Sequence, residues 1–75
     1  MLTQEVGPFR VSVEPAHANP TTGRWRATYK ITRHDDDDRI VNAGDGAEYD
    51  DRDNAMIAAF SLGIAIAAVK AERGT

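Results

Sequence analysis

Few side chains in this 75-residue chain are equipped for chemistry, and their spacing limits what they can do. Cysteine is absent, which removes disulfides, thiolate metal ligands and thiol nucleophiles together. His17 and His34 stand in separate segments and are too few for a standard zinc site. Ser12 and Ser61 have no neighbouring His–acid pattern that would activate a hydroxyl. Asp35 to Asp38, beside His34, offer hard oxygen ligands of the kind that calcium and magnesium take. A calcium loop alternates its acidic ligands and adds a glycine and a distal glutamate, whereas here Arg39 follows directly. A solvated acidic tip is therefore expected. Asp45, Glu48, Asp50, Asp51 and Asp53 form a second acidic group. General acid–base work needs two carboxylates converging on a pocket with their pKa values pushed apart. In a segment that leads into a helix, capping and solvated charge are the simpler roles, and so short a chain has little room for a pocket. Gly44-Asp45-Gly46 lacks the Lys-Ser/Thr ending of a phosphate-binding loop. The expectation is no catalytic residue, no metal, no cofactor, and a protein that is not an enzyme.

The cations tell a different story from the net charge of −3. Residues 1–33 carry five basic and two acidic side chains, and residues 34–75 carry four basic and ten acidic ones. Arg10, Arg24, Arg26 and Lys30, with Ser12, Thr28 and Thr32 among them, fall at alternate positions of two strand-like segments. A basic, hydroxyl-lined sheet face of this kind can contact phosphates, so these four residues are the candidate nucleic-acid face. Trp25 and Tyr29 alternate onto the opposite face, which takes away the stacking platform that single-strand binders use. The negative total also favours a solvated face over a nucleic-acid surface.

These residues must be held by a small α+β fold. Phe9 to Glu14 alternates apolar and polar residues with period two, which predicts a half-buried strand with Phe9, Val11 and Val13 inward. Pro8 and Pro15 punctuate it. Residues 16–23 read as a loop around Asn19-Pro20 and Gly23. Arg24 to Arg33 reads as one strand, with Trp25, Ala27, Tyr29 and Ile31 on its core face. Residues 34–38 make the acidic hairpin tip, 39–43 a third strand, and Gly44-Asp45-Gly46 a turn that ends it. Asp50 or Asp51 is a suitable N-cap for a helix running to about Glu72, with Lys70 and Arg73 near its negative end and Gly74 as terminator. The whole is a three-stranded antiparallel β-meander packed against one C-terminal helix, a single βββα domain over 1–75. Residues 1–7 and 73–75 are read as tails.

The helix is the most distinctive segment. No charge appears between Asp53 and Lys70. On a helical wheel Met56, Ile57, Phe60 and Ile64 fall on one side, and Leu62, Ile66 and Val69 roughly opposite. Ala59, Gly63 and Ala67 form a stripe of small residues between them. A helix on a sheet ordinarily needs an apolar arc of about 100°. Large apolar side chains here cover about twice that. One face is expected on the sheet and the other, Leu62, Ile66 and Val69, against a second copy in a homodimer; Ala59 and Gly63 are counted with that interface as residues that allow close backbone approach, either to the partner helix or to the sheet. The apolar run is shorter than the roughly twenty residues of a membrane span, and the first residues lack the pattern of a signal peptide. No membrane association and a cytoplasmic location are expected.

Gly23-Arg24-Trp25-Arg26-Ala27-Thr28-Tyr29, a short strand, and Tyr49 leading into Asp50-Asp51 and an Ala-rich helix resemble a pattern in small bacterial proteins, which implies fold alone. The βββα order is similar to that of integrase arm-binding domains, whose sheet face reads DNA, and to the last part of double-stranded-RNA-binding domains. This chain departs from both at its helix start, where Asp50, Asp51 and Asp53 would repel a phosphate backbone. The functional expectation is a small interaction or assembly module that self-associates through its helix. A nucleic-acid module on the Arg10/Arg24/Arg26/Lys30 face is the alternative.

Overall fold

Alternation of inward apolar residues with outward polar ones builds the sheet on which everything else rests. The computed structural model describes residues 2–33, 37 and 39–73. Among them lie six strands and one helix. The strands are β1 (Thr3–Val6), β2 (Phe9–Val13), β3 (His17–Ala18), β4 (Trp25–Arg26), β5 (Thr28–Arg33) and β6 (Arg39–Asp45); the helix is α1 (Arg52–Glu72). β1, β2, β5 and β6 form a four-stranded antiparallel sheet in the order β1-β2-β5-β6, and β3 pairs with β4 in a separate two-stranded ribbon. Phe9, Val11, Val13, Ala27, Tyr29 and Ile31 are buried beneath α1, as their period-two spacing requires.

The α+β class and the C-terminal helix on an antiparallel sheet agree with the sequence expectation, but three strands become six. Residues 3–6 are a strand, not part of a tail. Gly7 has φ 57 at the first position of a two-residue loop, the glycine-first pattern of a type II′ hairpin, and Val6 pairs with Phe9 across it. The expected loop 16–23 contains β3. It closes on β4 through Asn19 N–H donating to the Arg24 carbonyl at 2.7 Å, with the Asn19 side chain accepting from Thr21 N–H at 2.8 Å.

The long strand expected over 24–33 changes partners at Ala27. Pro15 cannot donate to a ladder, so β2 stops at Val13 opposite Tyr29, with a last bond from Glu14 N–H to the Thr28 carbonyl at 3.0 Å. Upstream of Ala27, Trp25 pairs with Ala18 on one side and exchanges hydrogen bonds of 2.7 and 2.9 Å with Tyr49 on the other.

The third strand runs two residues beyond its expected end. Gly44 and Asp45 belong to the ladder, opposite Tyr29 and Thr28. Gly44 is a close-approach glycine: a Cβ there would lie 2.7 Å from the Tyr29 hydroxyl oxygen and 3.0 Å from its ring. A bulge between Ile31 and Thr32 leaves Val41 without a partner of its own, and Val41 packs on the core. The tip containing His34, Asp35, Asp36 and Asp38 lies outside the described residues, so its reading as a solvated loop rests on sequence. Asp37 is exposed with φ 54, in the left-handed region that Asp tolerates.

Candidate interaction surface

The helix meets the sheet through its smallest residues. Ala55, Ala59, Gly63 and Ala67 are its four buried positions, spaced four apart along one line. A Cβ added to Gly63 would approach Val11 Cγ1 to 2.7 Å and Tyr29 Cβ to 3.2 Å, so the backbone of α1 lies almost directly on the β2 and β5 side chains. Gly46 makes the matching contact further along, where a Cβ would come within 3.0 Å of Ala59.

Of the two close approaches expected for Ala59 and Gly63, the one made is to the sheet, so they do not belong to a partner surface. The wheel was centred on the largest side chains, whereas close packing puts the smallest at the centre and lets the large ones splay to both sides. On one flank Met56, Phe60 and Ile64 are half-buried, with Phe60 and Ile64 packed on the cluster around Val11 and Ile31, and Met56 on the cluster around Val13 and beside Leu2. On the other flank lie Ile66, half-buried, and Leu62 and Val69, 42% and 47% exposed.

Neither set is private core. Ile57, grouped with the sheet-facing set by the wheel, is 56% exposed. Ala58 is half-buried, and Ala65 and Ala68 are exposed between the large side chains. The Leu62/Ile66/Val69 flank borders an open groove of ≈ 370 Å³ lined by Asn42, Ala65, Ile66, Val69, Lys70 and Arg73. Asn42 belongs to β6, whose outer edge has no pairing strand among the described residues. Ile40 on the same strand is 56% exposed. Asn42 and Ala65 were not singled out by sequence, because the groove exists only where the helix passes short of the last strand.

The ends of α1 carry opposite charge. Asp51 occupies the N-cap position, extended at φ −118 and ψ 134, but its carboxylate makes no capping hydrogen bond. Asp50 and Asp53 lie beside it, while Lys70 stands in the last turn and Arg73 at the C-cap. Both ends complement the helix dipole. By length and composition α1 is also sufficient to cross a bilayer, with 21 residues and a mean hydropathy of 1.7. In this fold its small-residue stripe is committed to the sheet.

The four candidate phosphate-binding cations are divided between the four-stranded sheet and the β3–β4 end. Arg10 and Lys30 stand on the outer face of the four-stranded sheet, across from Thr32 and Ser12. Arg24 and Arg26 belong to the β3–β4 end. Each is paired: Arg10 with Glu5 at 3.8 Å, Lys30 with Glu14 at 3.3 Å, Arg24 with Asp50 at 3.4 Å and Arg26 with Glu48 at 3.5 Å. Arg24 also donates to the Glu48 carbonyl at 3.0 Å. Two of these pairs lie within the first half of the chain, and two join it to the second. Glu48 and Asp50 act there as ion-pair partners, and Asp45 accepts from the Thr28 hydroxyl at 2.8 Å. Among the described residues there is no group of three or more His, Asp or Glu side chains that could hold a metal ion. No protein-family model, curated protein or solved structure matches the chain.

Proposed function

We propose that the chain is a small self-associating module whose contact surface is the outward face of α1. The observation that carries this is the exposure of Leu62 and Val69, at 42% and 47%, beside half-buried Ile66 on one flank of a helix with no charge between Asp53 and Lys70. Contiguous apolar surface on one side of a helix marks a place where another surface removes it from water. Burying the part of Leu62 and Val69 still in water contributes about 1 kcal/mol each in each copy, which is appreciable against the stability of a domain this small.

Light scattering at micromolar concentration tests the reading. The wild-type chain should have twice the 8.2 kDa chain mass. Leu62→Asp should return it to the single-chain mass with an unchanged circular dichroism spectrum, because Leu62 is not needed by the core. A wild-type chain that stays at single-chain mass, or one that partitions onto lipid vesicles in place of pairing, overturns the proposal.

A further inference from the structure

Ala58, Leu62, Ala65 and Val69 recur at spacings of four, three and four along α1, and none of them belongs to the sheet-facing stripe. That 3–4 rhythm is the seam of a helix pair. The seam lies about 130° around the helix from Gly63, toward the groove beside Asn42. Its side chains alternate small, large, small, large.

In a parallel pair in register, alanine would meet alanine and leucine would meet leucine. In an antiparallel pair about a two-fold axis between Leu62 and Ala65, Leu62 meets Ala65 and Val69 meets Ala58, so each large side chain faces a small one. The same operation sets Arg73 at the end of one helix beside Asp51 and Asn54 at the start of the other. Asp51 is suitably placed, being exposed, in line with the seam, and unused as a cap by its own helix. The two helix dipoles then also oppose one another.

We infer that the occupant of this face is a second copy of the chain, with its helix antiparallel and in the register that places Leu62 against Ala65 and Arg73 beside Asp51. The inference rests on the self-association proposed above and adds its orientation and register. Size complementarity along the seam and charge complementarity at its ends both select that arrangement. A partner helix there would also cover the open side of the groove at Ile66 and Val69.

The chain has no cysteine, so introduced thiols report on the pair directly. Ala58→Cys and Val69→Cys chains, confirmed folded by circular dichroism, are mixed and mildly oxidised. The antiparallel register predicts a mixed 58–69 disulfide and little 58–58 or 69–69 product, because like positions stand about 16 Å apart along the axis, beyond disulfide reach. In parallel, Arg73→Glu and Asp51→Arg should each raise the dimer dissociation constant about two- to five-fold, and the double variant should restore it. Dimeric mass with 58–58 and 69–69 products overturns the orientation and leaves self-association standing. Dimeric mass with no rescue in the double variant overturns the register. Single-chain mass for the wild type overturns both.

Discussion

Gly63 is where the fold is least forgiving. Its missing side chain lets α1 rest on Val11, which is fully buried, and on Tyr29, which is 6% exposed. Gly63→Ala improves helix propensity by about 1 kcal/mol but drives a methyl group to 2.7 Å from Val11 Cγ1. Neither neighbour can move without disturbing the sheet. The expected result is a net loss of about 1–2 kcal/mol, read as a lower urea midpoint at unchanged slope. An unchanged or raised midpoint would mean that the helix can lift without cost. The ion pairs weigh much less. Every cation that pairs with Glu5, Glu14, Glu48 or Asp50 has at least a third of its side chain in solvent, and such pairs contribute about 0–1 kcal/mol each. Their effect is on the surface potential: each of the four candidate phosphate-binding cations has a carboxylate beside it, so no mobility shift with duplex or single strands is expected at low salt.

At the scale of elements, the sheet follows from the inward residues of β2 and β5 and the placement of α1 follows from its small-residue line. The two can be separated by substituting the same residue type on different sides of one helix. Ala59→Leu should cost about 1–3 kcal/mol or more by forcing the helix away from Gly46, whereas Ala68→Leu, on the exposed side, should leave the urea midpoint nearly unchanged. Equal effects would show that the stripe is not the packing surface. Alternation made β2 and the inward side of β5 legible in the sequence, and the charge-free run before Lys70 made α1 legible. β1 was not legible because Thr3, Gln4 and Glu5 show no alternation and are exposed; they are ordered by the ladder with β2 and the Gly7 hairpin. The break at Ala27 was hidden because its cause, Pro15, lies elsewhere in the chain, between β2 and β3. Gly44 looked like a turn residue because a glycine that admits a neighbouring ring has the same letter as one that admits a positive φ.

For the molecule as a whole, the surface is normal in extent and includes several large apolar side chains. The chain exposes 4682 Å², close to the about 4,500 Å² typical of a folded chain of its mass. Ile40, Ile57, Leu62 and Val69 are each more than two-fifths exposed on it. If that surface joins two copies, unfolding and dissociation are linked. The wild-type melting temperature should then rise with protein concentration, while that of Leu62→Asp should not. A melting temperature independent of concentration in both chains would place the helix face in water. The extents are 41 × 21 × 17 Å, and α1, 21 residues long, packs on one layer of sheet and leaves its outer side toward a neighbour.

The sequence by itself determined the periodicities: which residues of β2 and β5 turn inward, where the helix begins, and that the helix has more apolar surface than one small sheet can cover. Those are local properties, set by side-chain type and backbone repeat. Only the tertiary structure decided which side of the helix is spare. That choice depends on how closely two backbones can approach, and the answer was the line of Ala55, Ala59, Gly63 and Ala67, where the least side chain permits the closest contact. It also decided that Arg10, Arg24, Arg26 and Lys30 meet carboxylates of other segments, because the pairing of distant charges is fixed by topology and not by order along the chain.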